Sequence, residues 1–213
     1  MKRKRPILPE YPDRAPLCRA AQRALDMAED VENLCFEDET LEGLGGISLS
    51  FSGCTFRRVT FGENDIEHMS FSDCVLDHCD FSGFKLLEGS MHRVEIVGCR
   101  GMGAQMDRSV LSNVLIKDCR VGYMTVSECK LTNVEFFSSE LENMLLYACQ
   151  MKDSTFENCR MLNAEITGTS LKGVDLTTDD ISGLRAQLDC LKGAKISVLQ
   201  APMMCALLGM KVE

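Results

Sequence analysis

The chain has 213 residues, 45% of them hydrophobic and 26% charged, the composition of a globular domain rather than of a disordered chain. Its formal net charge is −9, with 32 acidic against 23 basic residues; Lys2, Arg3, Lys4 and Arg5 supply four of the positive charges, leaving −13 on the rest. A body that acidic repels nucleic acid and attracts basic surfaces, because like-charged fields raise the cost of approach.

The opening MKRKRPILPEYP has a basic start without the apolar run of a signal peptide, and no later stretch reaches membrane-spanning length, so the expected location is cytoplasmic. A basic tail such as Lys2 to Arg5 is expected to be mobile. Pro16 then opens a predicted helix that puts Leu17, Ala20, Ala21, Ala24, Leu25 and Ala28 on one face. Residues 1–40 are read as tail and helical cap.

From residue 41 the chain repeats. Sampling every fifth residue from Phe51 to Ile181 gives 27 positions, beginning Phe51, Phe56, Phe61, Ile66 and Phe71, of which only Gly101 is not large and apolar. A helix of period 3.6 and a strand of period 2 are both excluded by a five-residue phase sustained this long. Two residues before most of these stands a small or medium side chain, as at Cys54, Cys74, Cys79, Ala104, Ser109 and Val114. Eight of the twelve cysteines share that phase, which favours reduced thiols packed as small hydrophobes over a disulfide scaffold or a metal site. Glycine and asparagine recur where tight corners are required, as at Gly53, Gly83, Asn113, Asn133 and Asn163.

Segments such as CTFRR, CDFSG, STFEN, AEITG and SLKGVDL resemble the A(D/N)Lxx unit of the pentapeptide-repeat family, over residues 41–196. The resemblance implies an all-β fold, a right-handed quadrilateral parallel β-helix with four pentapeptides to a coil. Roughly seven coils at about 4.8 Å each make a rod on the order of 35 Å long. The phase holds from Leu41 to Ile181, so no loop is expected to interrupt the coils.

After a last repeat, LKGAKI, the segment SVLQAPMMCALLGMKVE reads as a short helix near Leu199 to Leu208 stopped by Gly209, within a terminal unit of residues 197–213. This ending resembles that of the quinolone-resistance, gyrase-protecting branch of the family, where the same region forms a twofold dimer contact. Leu199, Met203, Met204, Leu207 and Met210 are the corresponding candidates here. A cap burying the same side chains within one subunit is the alternative, since both ends of a solenoid need covering.

Nothing in the sequence points to catalysis, a cofactor or a metal. In CVLDHCDF, Cys74 and Cys79 fall in the inward phase on adjacent sides of the square while His78 sits at a corner, so they do not converge on one ion. The outward charges are more informative, because residues twenty apart stack in columns. One side carries Asp77, Glu95, Asp118, Glu135, Glu157 and Asp175, with Val97, Leu115 and Phe137 as an apolar cluster among them. The opposite side carries Asp65, Glu67, Glu88, Asp107, Glu128 and Glu165; a third is basic, with Arg93, Lys130, Lys152 and Lys172. Two acidic sides on a rod imitate the spaced phosphates of a duplex, and the resemblance implies that they bind the DNA-holding saddle of DNA gyrase or topoisomerase IV and protect it from quinolones or a toxin. An acidic scaffold that binds some other protein is the competing expectation.

Overall fold

The computed structural model describes residues 3–207, 209 and 210, and among these not the side chain of Asp65. Lys2, Leu208 and residues 211–213, and with them parts of the expected tail and terminal helix, lie outside the described residues.

The five-residue phase becomes a four-sided coil in which residues twenty apart are hydrogen-bonded neighbours. On one side Val31 pairs with Phe51, and the column continues through Phe71, Met91, Leu111, Leu131 and Met151, all parallel. The next side stacks Phe36, Phe56, Leu76, Ile96, Ile116, Phe136 and Phe156. A third stacks Leu86, Met106, Val126, Leu146, Ile166 and Ala186. The fourth is held by single bridges from Thr60 through Asp80, Arg100, Arg120, Glu140 and Arg160 to Asp180. The fold is the expected right-handed parallel β-helix, with about nine turns rather than seven. The difference lies at the N-terminus: Asp13–Arg14 already pairs with Leu34–Cys35, and Val31 and Phe36 are in register with Phe51 and Phe56, so pairing begins well before residue 41.

Large side chains of the five-residue phase fill the axis, with Phe36, Phe51, Phe56 and Phe71 at most 1% exposed. Corners turn through the left-handed region at nearly every fifth residue, at Gly53, Asn113 and Asn133, and equally at Glu88, Asp118, Glu128 and Tyr123. That conformation strains a non-glycine residue, and inter-coil hydrogen bonds such as Glu88 N–H to Asp107 C=O and Asp118 N–H to Phe137 C=O offset it.

The small inward phase has a second role besides packing. The backbone N–H of one such residue donates to the side chain of its counterpart one coil on: Cys79 to Cys99 Sγ at 3.2 Å, Cys119 to Ser139 Oγ at 3.1 Å, Cys149 to Thr169 Oγ1 at 2.9 Å and Cys159 to Asp179 Oδ1 at 2.7 Å. A column of cysteine, serine and threonine thus satisfies donors at the corners, which would otherwise be buried without partners. All twelve cysteines are free. Burial pushes the Cys54 thiol up to about 11 and that of Cys74 to about 12, so both stay protonated and unreactive.

Both ends are covered. Helix α1 (Leu17–Met27) replaces two sides of the first coil, burying Leu17, Ala21 and Ala24, while Ala28 ends it in the left-handed region. Leu25 of α1 lies over Gly46, whose missing side chain leaves room for it: a Cβ there would stand 2.7 Å from Leu25 Cδ2. At the other end follow α2 (Leu188–Leu191) and α3 (Ala201–Leu207). Between them Gln200, 7% exposed, donates from Nε2 to the carbonyls of Leu176 and Asp179, both at 2.8 Å, which one more coil would otherwise have taken. Among the described residues no helix is long and apolar enough to cross a membrane.

Candidate binding faces

The outward positions follow from the register. Glu95, Leu115 and Glu135 are successive partners on the first acidic side, as are Asp107 and Ser127 on the opposite one. The column assignment read from the sequence is therefore the one the coils adopt. The charges in those columns are mostly not free. On the first side Asp77 Oδ1 meets His78 Nδ1 at 2.7 Å, Asp118 lies 3.8 Å from Lys117, and Asp175 lies 3.7 Å from Lys195. On the second, Arg108 holds both Glu88, at 3.0 Å, and Asp107, and Arg185 meets Glu165 at 3.4 Å. Glu67, Glu128 and Glu157 are exposed and have no ion pair among the described residues; the Asp65 side chain lies outside them.

Glu95 and Glu135 are paired by the N-terminal arm, contrary to the expectation of a mobile basic tail. Arg3 donates from Nη2 to Glu95 at 3.0 Å and from Nε to Glu135 at 2.9 Å, with its side chain 8% exposed. The two carboxylates flank Leu115 with nothing basic between them, which leaves a site that one guanidinium bridges. From there the arm runs back along the corner between the basic side and the first acidic side. The Lys4 N–H donates to Asn113 Oδ1 at 3.0 Å, the Ile7 N–H to Asp73 Oδ1 at 2.9 Å, and Pro9 reaches Gly53. Arg93 and the Ile7 N–H hold the Asp73 carboxyl below the usual carboxylate range. Arg3, Pro6 and Pro9 are half-buried while Lys4, Arg5, Ile7 and Leu8 are exposed. Burial every third residue is the periodicity of polyproline II, and the spacing of Pro6, Pro9 and Pro12 is the sequence signal for it.

Val97, Leu115 and Phe137 are half-buried, and Lys117 sits 5.6 Å over the Phe137 ring, so the apolar cluster is partly covered by its own chain. The fourth side, which the charge reading left out, carries a ladder: Arg100 meets Asp80 at 3.1 Å, Arg120 meets Glu140 at 3.6 Å, and Arg160 meets Glu142 at 3.0 Å.

The five residues expected at a dimer contact separate into two groups. Met203 and Met204 pack against the core, and Met204 and Leu207 line an apolar hollow at the rod end with Leu176, Ile181 and Leu188. Leu199, 91% exposed, and Met210 face solvent, as does Val198. Met203, Met204 and Leu207 of α3 thus lie against the rod end, while Val198, Leu199 and Met210 stay on the surface.

Residues 70–145 match the family model described as a pentapeptide repeat region. Comparison with curated proteins finds no match. Among solved structures the chain is similar to HetL, a pentapeptide repeat protein involved in heterocyst differentiation regulation from the cyanobacterium Nostoc sp. strain PCC 7120, at 11% identity and TM-score 0.44, covering 78% of this chain and 86% of that one. It is also similar to full-length QnrB1, a plasmid-mediated fluoroquinolone resistance protein, at 16% identity and TM-score 0.32, covering 84% and 99%. A third is the pentapeptide repeat protein Rfr23 from the cyanobacterium Cyanothece 51142, at 12% identity and TM-score 0.29, covering 84% and 99%. Likenesses at this level identify no partner.

Proposed function

We propose that this pentapeptide-repeat protein is a non-catalytic binding rod whose acidic sides engage a basic protein surface, and that this surface is the DNA-holding saddle of DNA gyrase or topoisomerase IV, protected thereby from quinolones or a toxin. The observation that carries the reading is a set of exposed carboxylates, Glu157 on the first acidic side and Glu67 and Glu128 on the opposite one, free of ion pairs among the described residues on a body with net charge −9. Opposite fields steer such a rod to a basic groove built for phosphates. The choice of topoisomerase rests on the resemblance of the repeats and of the C-terminal ending to the gyrase-protecting branch. The test is gyrase supercoiling in the presence of a quinolone. Addition of the protein is expected to restore supercoiled product and to lower the yield of cleaved DNA, and charge reversal at Glu67, Glu128 and Glu157 to raise the concentration needed at least tenfold. No rescue at any concentration rules out the topoisomerase assignment.

One observation favours the second reading, an acidic adaptor for a different protein. Of the eleven candidate carboxylates whose side chains are described, seven pair with an arginine or lysine and Asp77 meets His78. Duplex mimicry needs uncompensated charge at regular spacing, whereas an adaptor needs only a few free acids beside partly apolar surface.

A further inference from the structure

We propose that the corner between the basic side and the first acidic side is a peptide-binding groove, occupied in cis by the chain's own N-terminal arm, from which a basic, proline-containing extended peptide displaces it. The arm displays the chemistry that the groove accepts. An arginine bridges Glu95 and Glu135, two backbone N–H groups find Asn113 and Asp73, and Pro6 and Pro9, three residues apart, lie half-buried. Recognition of a pre-extended polyproline II segment by a charged anchor and a shallow track is a recurring mode of peptide binding, because such a segment loses little entropy on docking.

The arm is built to leave. Its apolar side chains contribute nothing to the core: Ile7 is 71% and Tyr11 84% exposed. Between Arg3 and Pro12 its polar contacts to the coils are the two N–H bonds and the Arg3 bridge, with no strand ladder. Segments held by so few contacts open locally without the fold unfolding. Of the four buried polar side-chain atoms without partners among the described residues, two are Arg3 Nη1 and Asn133 Oδ1, and Asn133 belongs to the same corner as Asn113, its Nδ2 lying 3.5 Å from Asn113 Oδ1. The resident arm therefore leaves an acceptor on the corner, Asn133 Oδ1, unmet, and a competing peptide that donates to it gains over the arm. Departure of the arm uncovers Glu95 and Glu135 and adds two charges to the first acidic side. The groove stands whichever protein the free acids engage.

The test uses the full chain and a fluorescein-labelled peptide of residues 1–12, read by fluorescence anisotropy. The Arg3→Glu chain, whose own arm is repelled by Glu95 and Glu135, is expected to bind the peptide at least tenfold more tightly than the wild type, because the tethered arm competes at high effective concentration. Its circular dichroism should match the wild type, since the arm lies outside the core. Adding Glu95→Lys and Glu135→Lys to that variant is expected to abolish binding. Equal affinity of the wild-type and Arg3→Glu chains, no binding to the Arg3→Glu chain, or binding indifferent to the two lysines overturns the proposal. So does a concentration-dependent dimer of the wild type that Arg3→Glu disperses, which would place the arm on a second copy.

Discussion

Gly101 shows how a single residue is decided by its neighbour one coil away. It is the one break in the large apolar phase, and a Cβ added there would overlap the Phe81 ring, which has swung into the volume a side chain would occupy. Gly101→Ala is expected to cost about 1–3 kcal/mol through overpacking, and Phe81→Leu in the same chain to recover much of it; chemical denaturation of the two single variants and the double measures the coupling. Asp179 ends the column of small polar residues. Its Oδ1 accepts the Cys159 N–H, and burial raises its carboxyl from 3.8 to about 6. A raised folded value means that the neutral form is the stabilised one. The contribution is complete below about pH 4 and lost as pH rises through 6. Asp179→Asn is therefore expected to be more stable than wild type at pH 7.5 by roughly 1–3 kcal/mol, with the difference vanishing near pH 4. Denaturation midpoints at the two pH values check this.

Among elements, the two ends solve one problem by different means. At the N-terminus α1 covers the end with buried Leu17, Ala21 and Ala24, and with Leu25 over Gly46, an apolar closure. At the C-terminus Gln200 closes the rod by hydrogen bonding: Nε2 serves two carbonyls and Oε1 accepts the Ser197 N–H at 2.7 Å. Gln200→Leu leaves these buried groups without partners, at about 1–3 kcal/mol each, and opens a strand edge to other molecules. A lowered melting temperature together with growth of light-scattering mass with concentration is the expected result. The apolar residues near the same end were legible as a capping segment from their sequence position. Which of them face inward was not, because the hollow that Met204 and Leu207 line is made by residues of the last coils, such as Leu176 and Ile181.

At the scale of the whole molecule, charges sorted into columns and charges available to a partner turn out to be different things. The columns were readable because a coil of twenty residues makes position in sequence equivalent to position on the surface. Availability was not, because each long side chain chooses among partners one coil above, one below and across a corner: Arg108 takes Glu88 and Asp107 together. The arm is the extreme case, since Arg3 meets Glu95 and Glu135 across 92 and 132 residues, and no local pattern announces such a contact. By itself, then, the sequence determined the inward phase and its unbroken run, because a five-residue hydrophobic period sustained this long excludes helix and flat strand, while the four-sided coil followed from the resemblance of the repeats to the pentapeptide-repeat family. The tertiary structure alone decided where pairing begins, which acids remain free, and that the basic segment lies along a corner of the rod. Those depend on distances between segments far apart in the chain, and periodicity carries no information about them.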